Sequence, residues 1–310
     1  MAATDLDARS MIITRVIDAP RALVFEAWTD PRHLAEWWGP DGFTTTTHSF
    51  DMRKGGVWRF TMHGPDGRDY ENRITFDEIV RPERISYRHD GAEDSDAVED
   101  VQFHTVVTFE EGQGRTRVTL RAVFATAEMR DRVMREVGAE EGGHQTVGRL
   151  AAYVEKQARG EDAHTLIITR VFDAPRELVW RMWTEQEHAL KWAGPRDHPL
   201  VKSDHDVRPG GKWRSCLQSV ADGRDLWQGG TYREVIAPER LVFTMKWDGE
   251  DDDMLITVDF EEVGDFADEG AKTRMSFRQD FLPSAASRDG HAGGWASTFD
   301  RLAEHLAAQR

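Results

Sequence analysis

Apolar and polar positions follow two different rhythms along this chain, and the same succession of rhythms occurs twice. Each copy opens on a β-type run, Met11 to Ile17 and again Leu166 to Phe172. Asp-Ala-Pro follows in both; proline suits a first helical turn and aspartate favours the positive end of a helix. Leu23, Val24, Ala27 and Trp28 then recur at helical spacing, as do Leu178, Val179, Met182 and Trp183. Asp30-Pro31, and Thr184 in the second copy, restart a short second helix that carries Trp37 or Trp192 and ends at Gly-Pro.

Beyond that point the period drops to two. Trp58, Phe60 and Met62 alternate with polar residues, followed by Ile74 and Phe76 and by Ile85 and Tyr87. Alternation continues from Val101 to Phe109 and from Val118 to Phe124, with counterparts at Met254 to Phe260 and at Met275, Phe277 and Phe281. The Asp-Gly-Arg-Asp segments 66–69 and 222–225 predict tight hairpin turns, because Asp-Gly accepts the positive φ that such turns demand. Gly138 and Gly142 predict a break before a terminal helix with Val147, Leu150, Ala151 and Val154 on one stripe; Phe299, Leu302, Ala303 and Leu306 form the matching stripe. Strand, two helices, six strands and a helix, with one apolar sheet face, predict an α+β fold: a curved antiparallel sheet wrapped around a long C-terminal helix, built twice.

The two copies correspond residue by residue. Ile13-Thr14-Arg15-Val16 returns as Ile168-Thr169-Arg170-Val171, 155 positions on, and Trp28-Thr29, Trp37, Gly39-Pro40, Gly55-Gly56 and Trp58-Arg59 keep the same offset. Asp66-Gly67-Arg68 and Pro82-Glu83-Arg84 return one position later still, which places an inserted residue in a loop. Copies of this length suit two globular domains, 1–158 and 164–310, rather than a solenoid, with a short polar linker from Lys156 to His164. Intramolecular pairing of the two domains about a pseudo-twofold axis is a hypothesis that such a duplication raises.

Composition narrows the partners. A formal charge of −16 with no basic stripe argues against nucleic acid and anionic membrane surfaces. The start of the chain lacks the features of a signal peptide and no apolar run reaches the roughly 18 residues of a spanning helix, so no membrane insertion and a cytoplasmic location are expected. Cys216 is the single cysteine, which excludes an internal disulfide, and no Cys/His spacing fits zinc; no metal or cofactor is expected. The acidic stretches 90–96 and 248–253 lack the register of a calcium loop and read as solvated hairpins. No Gly-x-Ser-x-Gly, phosphate-cradling loop or His-Glu-x-x-His occurs, so no catalytic residue is assigned; a dispersed, cyclase-like site would draw on His89 or His205.

Asp-Ala-Pro-Arg, Trp-Thr, Trp-x-Gly-Pro, Gly-Gly-x-Trp-Arg, Asp-Gly-Arg and Pro-Glu-Arg together resemble the helix-grip, START-related superfamily. More narrowly, the chain resembles the family homologous to the activator of the ninety-kilodalton heat-shock-protein ATPase, over nearly the whole of both copies. The resemblance implies the fold and leaves several functions open: lipid carriage, ligand binding, polyketide cyclisation and co-chaperone activity. The co-chaperone carries an additional N-terminal domain that engages the chaperone, and here a second helix-grip unit stands instead, so ATPase activation is not implied. The second copy keeps a Gly-Trp at 294–295 that this family commonly shows near its terminal helix, where the first has Gly142-Gly143-His144.

A curved sheet and a long helix can enclose an apolar cavity, so the polar and aromatic residues in the inward phase of the strands are the candidates for binding. In the first copy these are Tyr70, Asn72, Tyr87, His89 and Thr105. In the second they are Ser215, Gln228, Tyr232, Trp247 and Gln279, with Trp295 from the helix. Either they fill the core and satisfy one another, or they hold a small hydrophobic or aromatic ligand. The second copy is the preferred pocket, because Trp180, Trp183, Trp192, Trp213, Trp227, Trp247 and Trp295 give it more flat, rigid wall than Trp28, Trp37, Trp38 and Trp58 give the first. A chaperone or other protein bound on the outer face is the alternative partner, and a cyclase-like or hydrolase-like enzyme the third reading.

Overall fold

The β-branched run Ser10–Ile17 forms strand β1, and Pro20 caps helix α1, Arg21–Ala27, whose residues Leu23 to Ala27 are buried. Asp30 then accepts a hydrogen bond from the Arg32 backbone N–H and starts α2, Pro31–Trp37. Six strands follow: β2 (Thr44–Phe50), β3 (Val57–His63), β4 (Asp69–Val80), β5 (Arg84–His89), β6 (Phe103–Gly112) and β7 (Arg115–Phe124). Helix α3, Ala127–Glu136, and the long α4, Ala139–Ala158, complete the copy. The second copy repeats the order as β8 (Thr165–Phe172), α5 (Arg176–Thr184), α6 (Gln186–Trp192), β9 (Leu200–His205), β10 (Lys212–Gln218), β11 (Asp225–Ile236), β12 (Arg240–Trp247), β13 (Met254–Val263), β14 (Lys272–Asp280) and α7 (Ala285–Ala307).

This computed structural model describes residues 6–90, 103–136, 138–251, 253–263 and 271–309. The chain divides into two units, Met1–Arg159 and Gly160–Arg310. Each holds one seven-stranded antiparallel sheet of the same order, β1-β7-β6-β5-β4-β3-β2 in the first and β8-β14-β13-β12-β11-β10-β9 in the second. The α+β helix-grip architecture expected from the pattern is the one observed.

Three bonds recur at equivalent places and tie the copies into one register. The buried Trp37 indole donates to the Ala27 carbonyl at 2.9 Å, and Trp192 to Met182 at 2.9 Å. Thr116 Oγ1 donates to the Ala19 carbonyl at 2.7 Å, as Thr273 does to Ala174 at 2.7 Å. Arg149 on α4 donates to the Gly39, Pro40 and Phe43 carbonyls, and Arg301 on α7 to those of Lys191, Ala193 and Gly194. In each unit the guanidinium thus collects the carbonyls left open beyond a short helix and ties the long helix to that end of the sheet.

Local details depart from expectation. Gly138 does break the chain, with φ +64°, but Gly142 lies inside α4. Thr184 ends α5 instead of opening the next helix, and its hydroxyl donates to the Trp180 carbonyl. Lys156 and Gln157 belong to α4, so the link is shorter than 156–164. Phe281 has left the strand alternation, at φ +62° just past β14. The acidic stretch 90–96 falls mostly outside the described residues, as do Val101 and Asp252.

Candidate functional site

In the second unit the concave face of the sheet and the first half of α7 enclose a cavity of about 300 Å³. Trp213, Ser215, Gln228, Tyr232 and Trp247 line it from the sheet, and Gly290, His291, Gly294, Trp295 and Thr298 from the helix. Trp183, Trp192 and Ala193 close one end. In the first unit the corresponding space is a void of about 10 Å³ between Trp28, Trp38, Trp58 and Tyr87, which is room for one water at most.

Matched positions explain the difference. Trp38 packs edge-on against Trp28 and Trp58, with ring centroids 5.3 and 4.9 Å away, and its counterpart 155 positions on is Ala193. Phe60 stacks on Trp58 at 3.9 Å, and its counterpart is Ser215. Two aromatic plugs are therefore absent from the second unit. The helix differs as well. A Cβ built on Gly143 would stand 2.2 Å from the Ile13 side chain, so α4 lies directly against β1. Trp295 occupies the matching place on α7 and packs on Phe277 and Phe299, with centroids 4.4 and 5.5 Å away. An indole there holds helix and sheet apart.

One buried polar network braces this wall. Trp295 Nε1 donates to Gln279 Oε1 at 2.8 Å, and Gln279 Nε2 lies 2.8 Å from His291 Nδ1. An indole can only donate, so it fixes the amide with its oxygen toward Trp295 and its NH₂ toward the imidazole. His291 Nδ1 also stands 3.1 Å from Gln279 Oε1, so the ring meets both ends of the amide, accepting from its NH₂ in one tautomer or donating to its oxygen in the other. Gln279 is fully buried and stands behind the cavity wall; the residues it holds, Trp295 and His291, are the ones that line it. Burial lowers the pKa of His291, which favours its neutral form.

His198, another histidine of the lining, stands 3.2 Å from the Asp197 carboxylate. Asp, Glu, Lys and Arg are absent from the described residues that line the cavity. Burial lowers the His205 pKa, against an opposing pull from Asp204, and raises that of the Tyr232 hydroxyl. Ser203 Oγ stands 3.5 Å from His205 Nε2, too far for an activated nucleophile, and no described carboxylate bonds that histidine. Cys216 points away from the cavity, and burial pushes its thiol up, which makes it a poor nucleophile. Among the described residues no group of His, Cys, Asp and Glu could hold a metal ion.

The candidates from the first copy are not brought together around a cavity. Tyr87 is buried and borders the small void; burial raises its hydroxyl's pKa. Thr105 is its cross-strand partner on β6 and is also buried. His89 stacks on Phe103 at 4.9 Å, and burial pulls its pKa down to about 4. Asn72 donates to the Tyr70 carbonyl at 2.8 Å. Tyr70, expected to face inward, lies 41% exposed beside Phe43, because the tip of the β3–β4 hairpin runs past the part of the sheet that the helices cover. His291 and Ala193 are absent from the sequence-derived set. His291 sits four residues before Trp295 on the same helical face, a spacing that marks it; an alanine that leaves room carries no signal until it is set beside Trp38.

An antiparallel sheet gripping a long helix, with a cavity between them in one of two copies, defines a START-related helix-grip protein. A model of the family described as activator of Hsp90 ATPase homolog 1-like protein matches residues 18–155 and 173–307, and the chain belongs to that family, carrying its unit twice. A solution structure from Arthrobacter aurescens is 28% identical with a TM-score of 0.45, covering 50% of this chain and 90% of its own. A crystal structure from Mycobacterium smegmatis is 31% identical with a TM-score of 0.44, covering 48% and 92%. The AHSA1 protein of Silicibacter pomeroyi is 22% identical with a TM-score of 0.41, covering 47% and 99%. No curated protein matches the chain. No helix among the described residues is long and apolar enough to cross a membrane.

Proposed function

We propose that the second unit binds a small aromatic or hydrophobic molecule between its sheet and α7, and that the first unit, its equivalent space filled, serves another purpose. The observation that carries this reading is the cavity of about 300 Å³, walled by Trp183, Trp213, Trp247 and Trp295, with no Asp, Glu, Lys or Arg among the described residues that line it. Burying apolar surface there gains about 25 cal/mol per Å², and rigid indoles lose little entropy on contact. Native mass spectrometry of gently purified protein, followed by titration of tryptophan fluorescence with uncharged aromatics, tests it. A co-purifying molecule or saturable quenching is expected in the wild type, and loss of both in the doubly filled variant Ala193→Trp/Ser215→Phe. A wild type that neither retains nor responds to any such molecule rules the reading out.

A protein contact is the second reading, favoured by Ile12 and Val16, which stand 48% and 50% exposed on β1, an exposure shared by their counterparts Ile167 and Val171 on β8 at 40% and 56%. Titration of the ninety-kilodalton chaperone's ATPase with the full chain, wild type and Ile12→Lys/Val16→Lys, tests it. An unchanged ATPase rate with no detectable complex removes the chaperone as that partner.

A further inference from the structure

Gln228 lies in a row of cross-strand partners, Ser203 on β9, Ser215 on β10, Gln228 on β11 and Trp247 on β12. Partners in a ladder share a face, and all four line the cavity. The row therefore lays two hydroxyls and one carboxamide across the cavity floor, with an indole at its end. Gln228 Oε1 is buried and has no hydrogen-bond partner. A carboxamide oxygen held away from water without a donor costs about 1–3 kcal/mol, so folding alone does not account for it.

Comparison between the copies bears on this atom, although the filled unit has a buried unpaired hydroxyl of its own at Thr105. Trp183 Nε1 on the cavity wall is also unpaired, but so is Trp28 Nε1 in the filled unit, which makes that vacancy a property of the fold. Asn72 takes the place of Gln228 in the first unit; its NH₂ donates to the Tyr70 carbonyl, and its oxygen is not a buried atom left without a partner. A buried, unpaired amide oxygen thus stands at this place in the unit with the cavity and not in the other. The Gln279 amide, by contrast, is spoken for by Trp295 and His291.

Resting on the reading that this cavity takes a small molecule, we infer that its ligand is an uncharged aromatic with a hydrogen-bond donor and an acceptor side by side on one edge, as in a lactam or a phenol, paired with the carboxamide of Gln228. Rotation of the Gln228 side chain that brings its buried oxygen to the cavity presents one acceptor and one donor, and a ligand edge with both satisfies it. A formal charge on the ligand finds no dedicated counter-ion: the described lining has no Asp, Glu, Lys or Arg, burial holds His205 and His291 toward their neutral forms, and His198 already faces the Asp197 carboxylate at 3.2 Å. Trp247, the neighbour of Gln228 in the row, supplies a flat apolar surface beside the polar edge.

The test uses the full chain and three probes of similar size: 2-quinolinone, its N-methyl derivative, and 2-naphthoate, with dissociation constants measured by calorimetry. 2-Quinolinone is expected to bind about tenfold more tightly than the N-methyl compound, which keeps the rings and the carbonyl but loses the donor. Naphthoate is expected to bind weakest. In Gln228→Met the two quinolinones should bind alike, with circular dichroism unchanged. Equal affinities for all three in the wild type, or a preference that survives Gln228→Met, overturns the inference and leaves the cavity reading in place. Should none of the probes, nor naphthalene, bind the wild type, the cavity reading falls and takes the inference with it. The wild-type ratio stands as a test even if Gln228→Met does not fold.

Discussion

Trp295 donates its indole N–H to Gln279 across the gap between α7 and β14, and the places that match these two residues in the first unit are Gly143 on α4 and Ala122 on β7. The third member of the network, His291, is matched by Ala139. All three polar partners are present in the unit with a cavity and all three are replaced by Gly or Ala in the unit without one. The network accompanies the open unit, where the Trp295 ring packs on Phe277 and its N–H is anchored to the strand through Gln279.

Removing its centre should therefore be costly. Gln279→Leu leaves the Trp295 N–H and the His291 ring without their partner, and is expected to destabilise the second unit by about 1–3 kcal/mol. Urea unfolding followed by tryptophan fluorescence measures this; an unchanged midpoint would show that the two groups find other partners.

Filling the cavity should separate stability from binding. Ala193→Trp with Ser215→Phe copies the first unit's plugs, and the expected outcome is loss of all affinity for aromatic probes with the circular dichroism of the wild type. If the variant still binds at wild-type affinity, the probes occupy a different site.

The reverse change in the first unit should be severe. Phe60 is almost wholly buried and stacks on Trp58, so Phe60→Ala is expected to cost about 3–5 kcal/mol. Thermal or urea unfolding of the full chain should show the early loss of one unit; a cost below 1 kcal/mol would mean the neighbouring rings collapse into the space.

His89 should make the first unit acid-sensitive. Its folded pKa, about 4, lies below the ordinary 6.5, so the unfolded chain binds the proton first as the pH falls. Stability is complete above pH 6.5 and declines between 6.5 and 4, by on the order of 1–3 kcal/mol for a half-buried ring. His89→Phe should remove this portion of the pH dependence while keeping the stack on Phe103. A variant with the same slope as the wild type between those pH values would assign the effect to other groups.

The fold was legible because each element could be read twice: a strand or helix seen in one copy is checked by its counterpart 151 to 157 residues on. Alternation gave the inward faces of β10, β11 and β12 correctly, and with them the cavity positions of Ser215, Gln228, Tyr232 and Trp247. It could not say that Tyr70 stands beyond the helices, since periodicity fixes which face a side chain takes and not how far the cover over that face extends. Nor could it find Arg149 and Arg301, whose carbonyl partners lie more than 100 residues away and carry no side-chain motif. Openness itself was hidden, for it arises from what Ala193 and Ser215 lack.

Gly290, Gly293 and Gly294 stand on α7 with open space where a Cβ would go, so unlike Gly143 they are not required by close packing. Each would gain on the order of 1 kcal/mol of helix stability as alanine. At 290 and 294 that gain comes with a methyl group set into the cavity wall. Thermostability and ligand size are therefore opposed along a single helical face, and alanine at one or both of these positions would trade the breadth of molecules admitted for the heat the second unit withstands.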